Sequence, residues 1–211
     1  MGSPQAVHTR RAGGIAIVVV LFALLVVMLA AAAPAMAAPA KVVSGDTNLT
    51  IPKAQVTALT AKNVALLNTP PVSFRFQWDN GVSWWFGAPM ATSGGTFDYA
   101  TKKGVLYHNG GLRFVNVANN TTLRMGGLRF LAYGPASFAL SAAVGDAPAT
   151  RANVLIATNA PKFTKQGKTI KIEGVQFLLT DAGALALKTA LGVDLSTTTL
   201  FADTDLQFKI K

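Results

Sequence analysis

From Thr47 onward the chain alternates apolar and polar residues in short runs, the period-two pattern of strands with one buried face. Leu49 and Ile51 open the series. Leu123 with Met125, Leu128 with Phe130, Phe138 with Leu140, Val154 with Ile156, Ile170 with Ile172, and Val175 with Phe177 and Leu179 continue it, with Gly, Pro and Asn between the runs. In the last run Leu206, Phe208 and Ile210 alternate with Gln207, Lys209 and Lys211, which predicts a half-buried closing strand whose charges protect a sheet edge. Such even spacing predicts a mainly β chain, an antiparallel β-sandwich or barrel-like sheet, rather than alternating βαβ units.

Two segments break the alternation. After Pro52, Val56, Leu59 and Lys62 fall on a helical face, and Asn63 suits a left-handed end. Near the C-terminus Thr180 is placed to cap a second short helix, with Asp181 at its positive end, Leu187 and Leu191 on one face and Gly192 as the stop. Each helix follows a strand, so the two units form a weak internal repeat around a long β region. In the hairpin between Lys162 and Lys171, Gln166-Gly167 marks the turn, and the lysines at 162, 165, 168 and 171 read as an exposed hairpin rather than a binding stripe.

Residues 72–86 predict an aromatic hairpin around Asp79-Asn80-Gly81. A three-residue loop ending on a left-handed Gly81 pairs Trp78 with Val82, Phe76 with Trp84 and Phe74 with Phe86. Arg75, Gln77, Ser83 and Trp85 then share the other face, where Arg75 can lie over Trp85. Such a ladder is either core or a projecting surface, with Trp78, Trp84, Trp85 and Arg75 as its contact residues.

The central stretch Gly104–Phe114 holds the one histidine beyond residue 38. Alternation puts Val105, Tyr107 and Asn109 on one face and Leu106 and His108 on the other, so Tyr107 and His108 cannot enter one pocket from a regular strand. Asn109-Gly110-Gly111 tolerates positive φ, and the strand turns or bulges there before Leu112 and Phe114 resume it.

Composition adds an address. Arg10 and Arg11 precede an uncharged run from Ala12 to Ala33, and Ala35-Met-Ala37 fits the small-x-small cleavage rule. Residues 1–38 are therefore expected to be a secretory signal peptide, or an uncleaved anchor, because the run is long enough to span a bilayer. Residues 39–211 form a single domain. The paired arginines lack the apolar residues that follow them in twin-arginine signals, so the ordinary export route is expected. Setting aside Arg10 and Arg11 leaves 17 basic residues against nine acidic ones, a net charge of +8. That excess favours anionic envelope glycans or lipids, although it is dispersed over alternating strands. The lack of cysteine excludes disulfides and thiol chemistry, so a core must stabilise the exported chain.

One histidine, no cysteine and scattered carboxylates provide no nucleophile–base pair, and no hydrolase elbow, phosphate loop or dinucleotide fingerprint is present. A non-enzymatic role is expected. Zinc lacks its usual ligand set, and Asp203, Asp205 and Asp194 read as a hydrophilic region rather than a calcium site, so no metal site is expected. The export signal and the absence of a recognition motif argue against nucleic acid.

Four phrases in order resemble the haem-transport-associated, HtaA-type domain of actinobacterial secreted and cell-envelope proteins. They are Asp46-Thr-Asn-Leu-Thr-Ile51 with Ala58-Leu59; Gly94-Gly-Thr-Phe-Asp98; Gly104-x3-His108-x-Gly110-Gly-Leu112-x-Phe114; and Leu179-Thr-Asp-Ala-Gly-Ala-Leu-Ala-Leu187 with Leu191-Gly192. The resemblance implies a β-rich extracellular domain and, in haem-binding members, an axial tyrosine supported by a nearby histidine. His108 matches that histidine. The tyrosine follows a Ser-Phe-Arg phrase in those members, and here Ser73-Phe74-Arg75 leads to Gln77 at the matching place, which is no substitute for a phenolate on ferric iron. Tyr99, Tyr107 and Tyr133 are the remaining tyrosines, with Tyr107 disfavoured by its face. A neutral imidazole at 108 serves equally as a ligand-site group and as a structural hydrogen-bonding residue. Two functions follow as expectations. The first is an exported module that binds haem or another flat hydrophobic ligand beside His108. The second is a structural or adhesive envelope module that meets glycans or lipids through the aromatic hairpin and the basic surface.

Overall fold

The alternating runs form one antiparallel sheet that closes on itself. The computed structural model describes residues 38–70, 75–79, 83–145 and 149–211, with the backbone alone for 68, 75–79 and 83–90. Ala38–Lys211 is a compact unit of its own. The leader expected up to residue 38 lies, but for Ala38, outside the described residues. In chain order the elements are β1 (Ala40–Ile51), α1 (Lys53–Thr60), β2 (Val64–Thr69), β3 (Arg75–Asp79), β4 (Ser83–Asp98), β5 (Lys103–His108), β6 (Gly111–Asn116) and β7 (Thr121–Gly134). There follow β8 (Ser137–Val144), β9 (Thr150–Ala157), β10 (Lys162–Gln166), β11 (Thr169–Leu179), α2 (Asp181–Leu191) and β12 (Leu200–Ile210).

Neighbouring strands run β7-β5-β4-β1-β12-β11-β9-β8, and β8 pairs back onto β7, so the sheet is a closed barrel rather than a sandwich. β6 is the continuation of β5 along the same edge of β7. Tyr107 pairs with Arg129 and Gly111 with Gly126, so four steps on one strand face three on the other. The extra residue is a bulge at Asn109-Gly110, where Gly110 has a φ of 82° and its carbonyl accepts from the Gly127 amide at 3.0 Å. β2 extends the sheet beyond β6, β3 pairs with β4, and β10 pairs with β11.

The barrel interior is aromatic and aliphatic. Phe97, Phe130, Phe138, Phe177 and Phe208 are fully buried. Phe97 meets Phe208 edge-on at 5.1 Å, and Phe130 meets Phe138 at 5.5 Å and Phe177 at 6.2 Å. Each such side chain contributes about 1.5–3 kcal/mol by burial, and this core replaces the disulfides the chain cannot form. Both helices end as their residues require. Asn63 takes a φ of 58°, the Thr180 side chain accepts from the Gly183 amide at 3.1 Å, and Gly192 closes α2 with a φ of 70°.

Three sequence expectations need correction. β12 is not an edge strand, because β1 and β11 flank it, and its outward charges lie on the barrel wall. Val154 and Ile156 do not share the inner face. Leu140 pairs with Leu155 and Ser141 with Asn153, which leaves Val154 as a bulge, so Val154 and Leu155 are buried while Ile156 is exposed. In the hairpin, Trp78 pairs with Trp84 and Phe76 with Phe86, two residues away from the predicted register, because Asp79 pairs with Ser83 and the connection spans residues 80–82. A shift of two keeps the predicted division of faces. The side chains of Arg75, Trp78, Trp84 and Trp85 lie outside the described residues.

The direction of the strands sorts the connections between two ends. β1 and β11 both run toward the end where α1 and α2 begin. The opposite end collects the start of β1, the Tyr99–Lys102 turn, the Pro135-Ala136 turn, the Gly167-Lys168 turn and the C-terminal Lys211.

Candidate functional site

His108 closes β5 and points into the barrel, opposite Thr92 of β4, with 4% of its surface exposed. Its Nε2 lies 2.7 Å from Thr47 Oγ1 on β1, and Thr47 is itself fully buried. Desolvation pushes the imidazole pKa down to about 4, weakly opposed by the Leu128 backbone. The ring is therefore neutral at pH 7, and Thr47 can donate to it or accept from it according to the tautomer. Nδ1 and the nearby hydroxyl of Thr92 have no hydrogen-bond partner.

The three tyrosines lie elsewhere. Tyr107, on the outer face of β5, is exposed and has the Arg129 guanidinium 5.3 Å from its ring centroid. Tyr133 is also exposed, opposite Lys103. Tyr99 is half-buried in the turn after β4, with the Lys102 ammonium 3.1 Å above its ring. None of them meets His108. The described residues therefore do not bring together the tyrosine–histidine pair that the HtaA-type resemblance implies, and the buried His108 Nε2 is already engaged by Thr47.

One apolar concave surface lies at α1. A pocket of about 490 Å³ is lined, among the described residues, by Val56, Thr57, Thr60 and Ala61, on a helix that packs against β2 and β4. Its size falls within the roughly 300–1,000 Å³ of small-molecule sites, and its wall is predominantly apolar. The sequence carried a signal for it: Ala54 to Ala61 is uncharged between Lys53 and Lys62, so α1 carries no charge after its first residue. A second, polar groove of about 250 Å³ runs over the outer wall of β1, β11 and β12, lined by Asp46, Asn48, Lys171, Glu173, Asp205 and Gln207. There burial and the neighbouring Asp205 raise the Asp203 carboxyl pKa, and Asp205 accepts from the Gly174 amide at 2.7 Å; Asp194, after α2, is instead paired with Lys188 at 2.9 Å. No three histidine, aspartate or glutamate side chains are grouped to hold a metal ion among the described residues.

A closed antiparallel barrel of eight strands, with two short helices starting at one end and an apolar pocket on one of them, defines the structural class. Within it the chain is similar to the C-terminal domain of HtaA from Corynebacterium glutamicum, with a TM-score of 0.57 and 12% identity over 82% of this chain and 99% of that one. The N-terminal domain of the same protein gives a TM-score of 0.53 and 14% identity over 80% of this chain and 99% of that one. No protein-family model and no curated protein matches the sequence. The shared property is thus the fold, and it agrees with the HtaA-type resemblance carried by the four sequence phrases.

Proposed function

We propose that the chain is an exported, non-enzymatic binding domain of the cell envelope that holds a flat hydrophobic ligand, haem or a related porphyrin, in the pocket on α1. The pocket itself carries this reading, because an apolar cavity of about 490 Å³ beside Val56 and Ala61 offers a ligand surface that the packed barrel interior does not. The likeness to HtaA domains supports the ligand class. Burial of apolar area holds the ligand, and iron ligation by a tyrosine has no part, since Tyr99, Tyr107 and Tyr133 lie away from the pocket's described lining.

Titration of residues 38–211 with hemin and with metal-free protoporphyrin tests this. Both are expected to give saturable binding with similar Kd, which Val56→Arg abolishes and His108→Ala and Tyr133→Phe leave in place. Hemin binding that requires iron and weakens in His108→Ala would move the site to His108. Absence of saturable binding by either porphyrin would leave the envelope module, with its aromatic hairpin and basic surface, as the better reading.

A further inference from the structure

The topology gathers lysines at the end of the barrel opposite α1. Lys41 is the second residue of β1, and its carbonyl accepts from the Lys211 amide at 2.9 Å, so the two ends of the fold lie side by side. Lys209 pairs with Thr169, and the Lys168 carbonyl accepts from the Ile210 amide at 2.9 Å. Lys102 and Lys103 stand at the turn between β4 and β5, and Lys165 comes one step before the turn between β10 and β11. The three-residue spacing of the lysines in the last hairpin does not produce this set. It comes from separate segments that the closed barrel brings to one rim.

The Asp98 carboxylate at this rim is already engaged. Asp98 accepts from the Ala100 amide at 2.9 Å and from the Thr101 hydroxyl at 2.6 Å, which holds its pKa below the usual carboxylate value. Among the described residues the one ion pair is Lys188 with Asp194, and it includes none of the rim lysines. Two ammonium groups crowd one ring: Lys102 Nζ is 3.1 Å and Lys165 Nζ 5.4 Å from the Tyr99 centroid. Burial lowers the Lys102 pKa, opposed by the pull of Asp98, with a smaller contribution from repulsion by Lys165. Lys102 is also held in the left-handed region at a φ of 56°. Lys102 and Lys165 thus share one ring with Asp98 as the nearby counter-charge, and the further lysines of the rim leave an excess of positive charge that an anionic surface would attract.

We infer that this lysine rim docks on an anionic lipid bilayer. The chain supplies the reason for a bilayer. In the sequence the uncharged run Ala12–Ala33 is followed after only six residues by Ala40, where β1 starts on this rim. A polybasic surface next to a membrane-inserting segment is the arrangement by which anionic headgroups attract proteins. Tyr99 and Tyr133 add rings with polar tips, suited to the headgroup layer. The rim is built of lysines, whereas Arg113, Arg124, Arg129 and Arg151 lie on the barrel wall. With the rim on the membrane, the pocket on α1 faces away from it. The inference does not depend on which ligand that pocket holds.

Co-sedimentation of residues 38–211 with vesicles tests it. Binding is expected to vesicles of phosphatidylcholine mixed with phosphatidylglycerol, not to phosphatidylcholine alone, and to weaken as salt is added. Each lysine removed should weaken it roughly fivefold, so Lys102→Gln/Lys103→Gln/Lys165→Gln should lose on the order of a hundredfold. Lys168→Gln/Lys211→Gln, altered only at a turn and at the terminus, should lose on the order of tenfold or more by the same rule and guards against a folding defect in the first variant. Arg113→Gln/Arg124→Gln should bind as wild type. Equal binding to neutral vesicles, undiminished binding by both lysine variants, or loss in the arginine variant would overturn the proposal. So would binding to a soluble anionic polysaccharide without binding to vesicles, which would point to a glycan.

Discussion

The buried His108 makes a pH dependence that can be calculated. In residues 38–211 it is the only histidine, because His8 precedes the barrel. Its pKa is about 4 in the fold against about 6.5 in an unfolded chain. A base with a depressed folded pKa stays neutral while the unfolded chain takes up a proton. Its contribution to stability is therefore intact above pH 6.5 and is lost as the pH falls toward 4. Between pH 7.5 and pH 5 the loss is about 2 kcal/mol, and with an m-value of about 2 kcal/mol per molar the urea midpoint should fall by roughly 1 M.

The comparison is with His108→Leu. That variant leaves the Thr47 hydroxyl buried without its partner, which costs about 1–3 kcal/mol at every pH, so the midpoint itself is not the readout. The slope is. Urea denaturation at pH 7.5, 6.5, 5.5 and 5 should give a falling midpoint in wild type and a nearly flat one in His108→Leu, and Thr47→Val/His108→Leu should be flat and recover part of the lost stability. Parallel lines for wild type and His108→Leu over this range would refute the reasoning, since the dependence would then arise from other groups.

Two further outcomes follow from the sheet. A Cβ on Gly45 would sit 2.5 Å from Phe208 Cβ and 2.6 Å from the Gln207 carbonyl oxygen, so Gly45→Ala should lower stability by about 1–3 kcal/mol in thermal melts, with Gly134→Ala, where nothing lies within 4 Å, near wild type. Arg113 and Arg124 face each other directly across β6 and β7, so Arg124→Glu should raise stability by about 0.2–1 kcal/mol at low salt, and the gain should vanish at high salt.

Much of the fold was legible because alternation is a local signal. Phe130, Phe138, Ile172 and Phe177 are buried as their spacing requires, and Thr180 and Gly192 cap α2 as their chemistry requires. Errors came where a single extra residue changes the phase. The bulge at Val154 turns Ile156 outward, and nothing in Asn153-Val154-Leu155-Ile156 marks it, because the bulge is defined by pairing with β8. Closure was similarly hidden. Whether a sheet ends as a sandwich or a barrel depends on β8 returning to β7, and β12 reads as an edge strand until β1, from the other end of the chain, is seen beside it. At the site, alternation separated His108 from Tyr107, but the partner of His108 lies 61 residues away, and only the closed sheet brings Thr47 to it.

That partner bears on the proposed function. The HtaA-type resemblance implies a histidine that supports the hydroxyl of an iron-bound tyrosine, and in this chain Gln77 stands where that tyrosine is expected. A hydroxyl nevertheless meets His108, and it belongs to Thr47, on the inner wall of the barrel, where it satisfies the imidazole without any ligand. His108 thus has a hydroxyl partner, but the pair lies in the core, and none of the three tyrosines is set beside it. Under the proposed function the chain offers an apolar surface, at Val56 and Ala61, but no axial oxygen from the described tyrosines. Affinity would then follow the buried area of the ligand rather than its metal. This is why similar Kd values for hemin and metal-free protoporphyrin, with no loss in His108→Ala, are the expected outcome for this barrel.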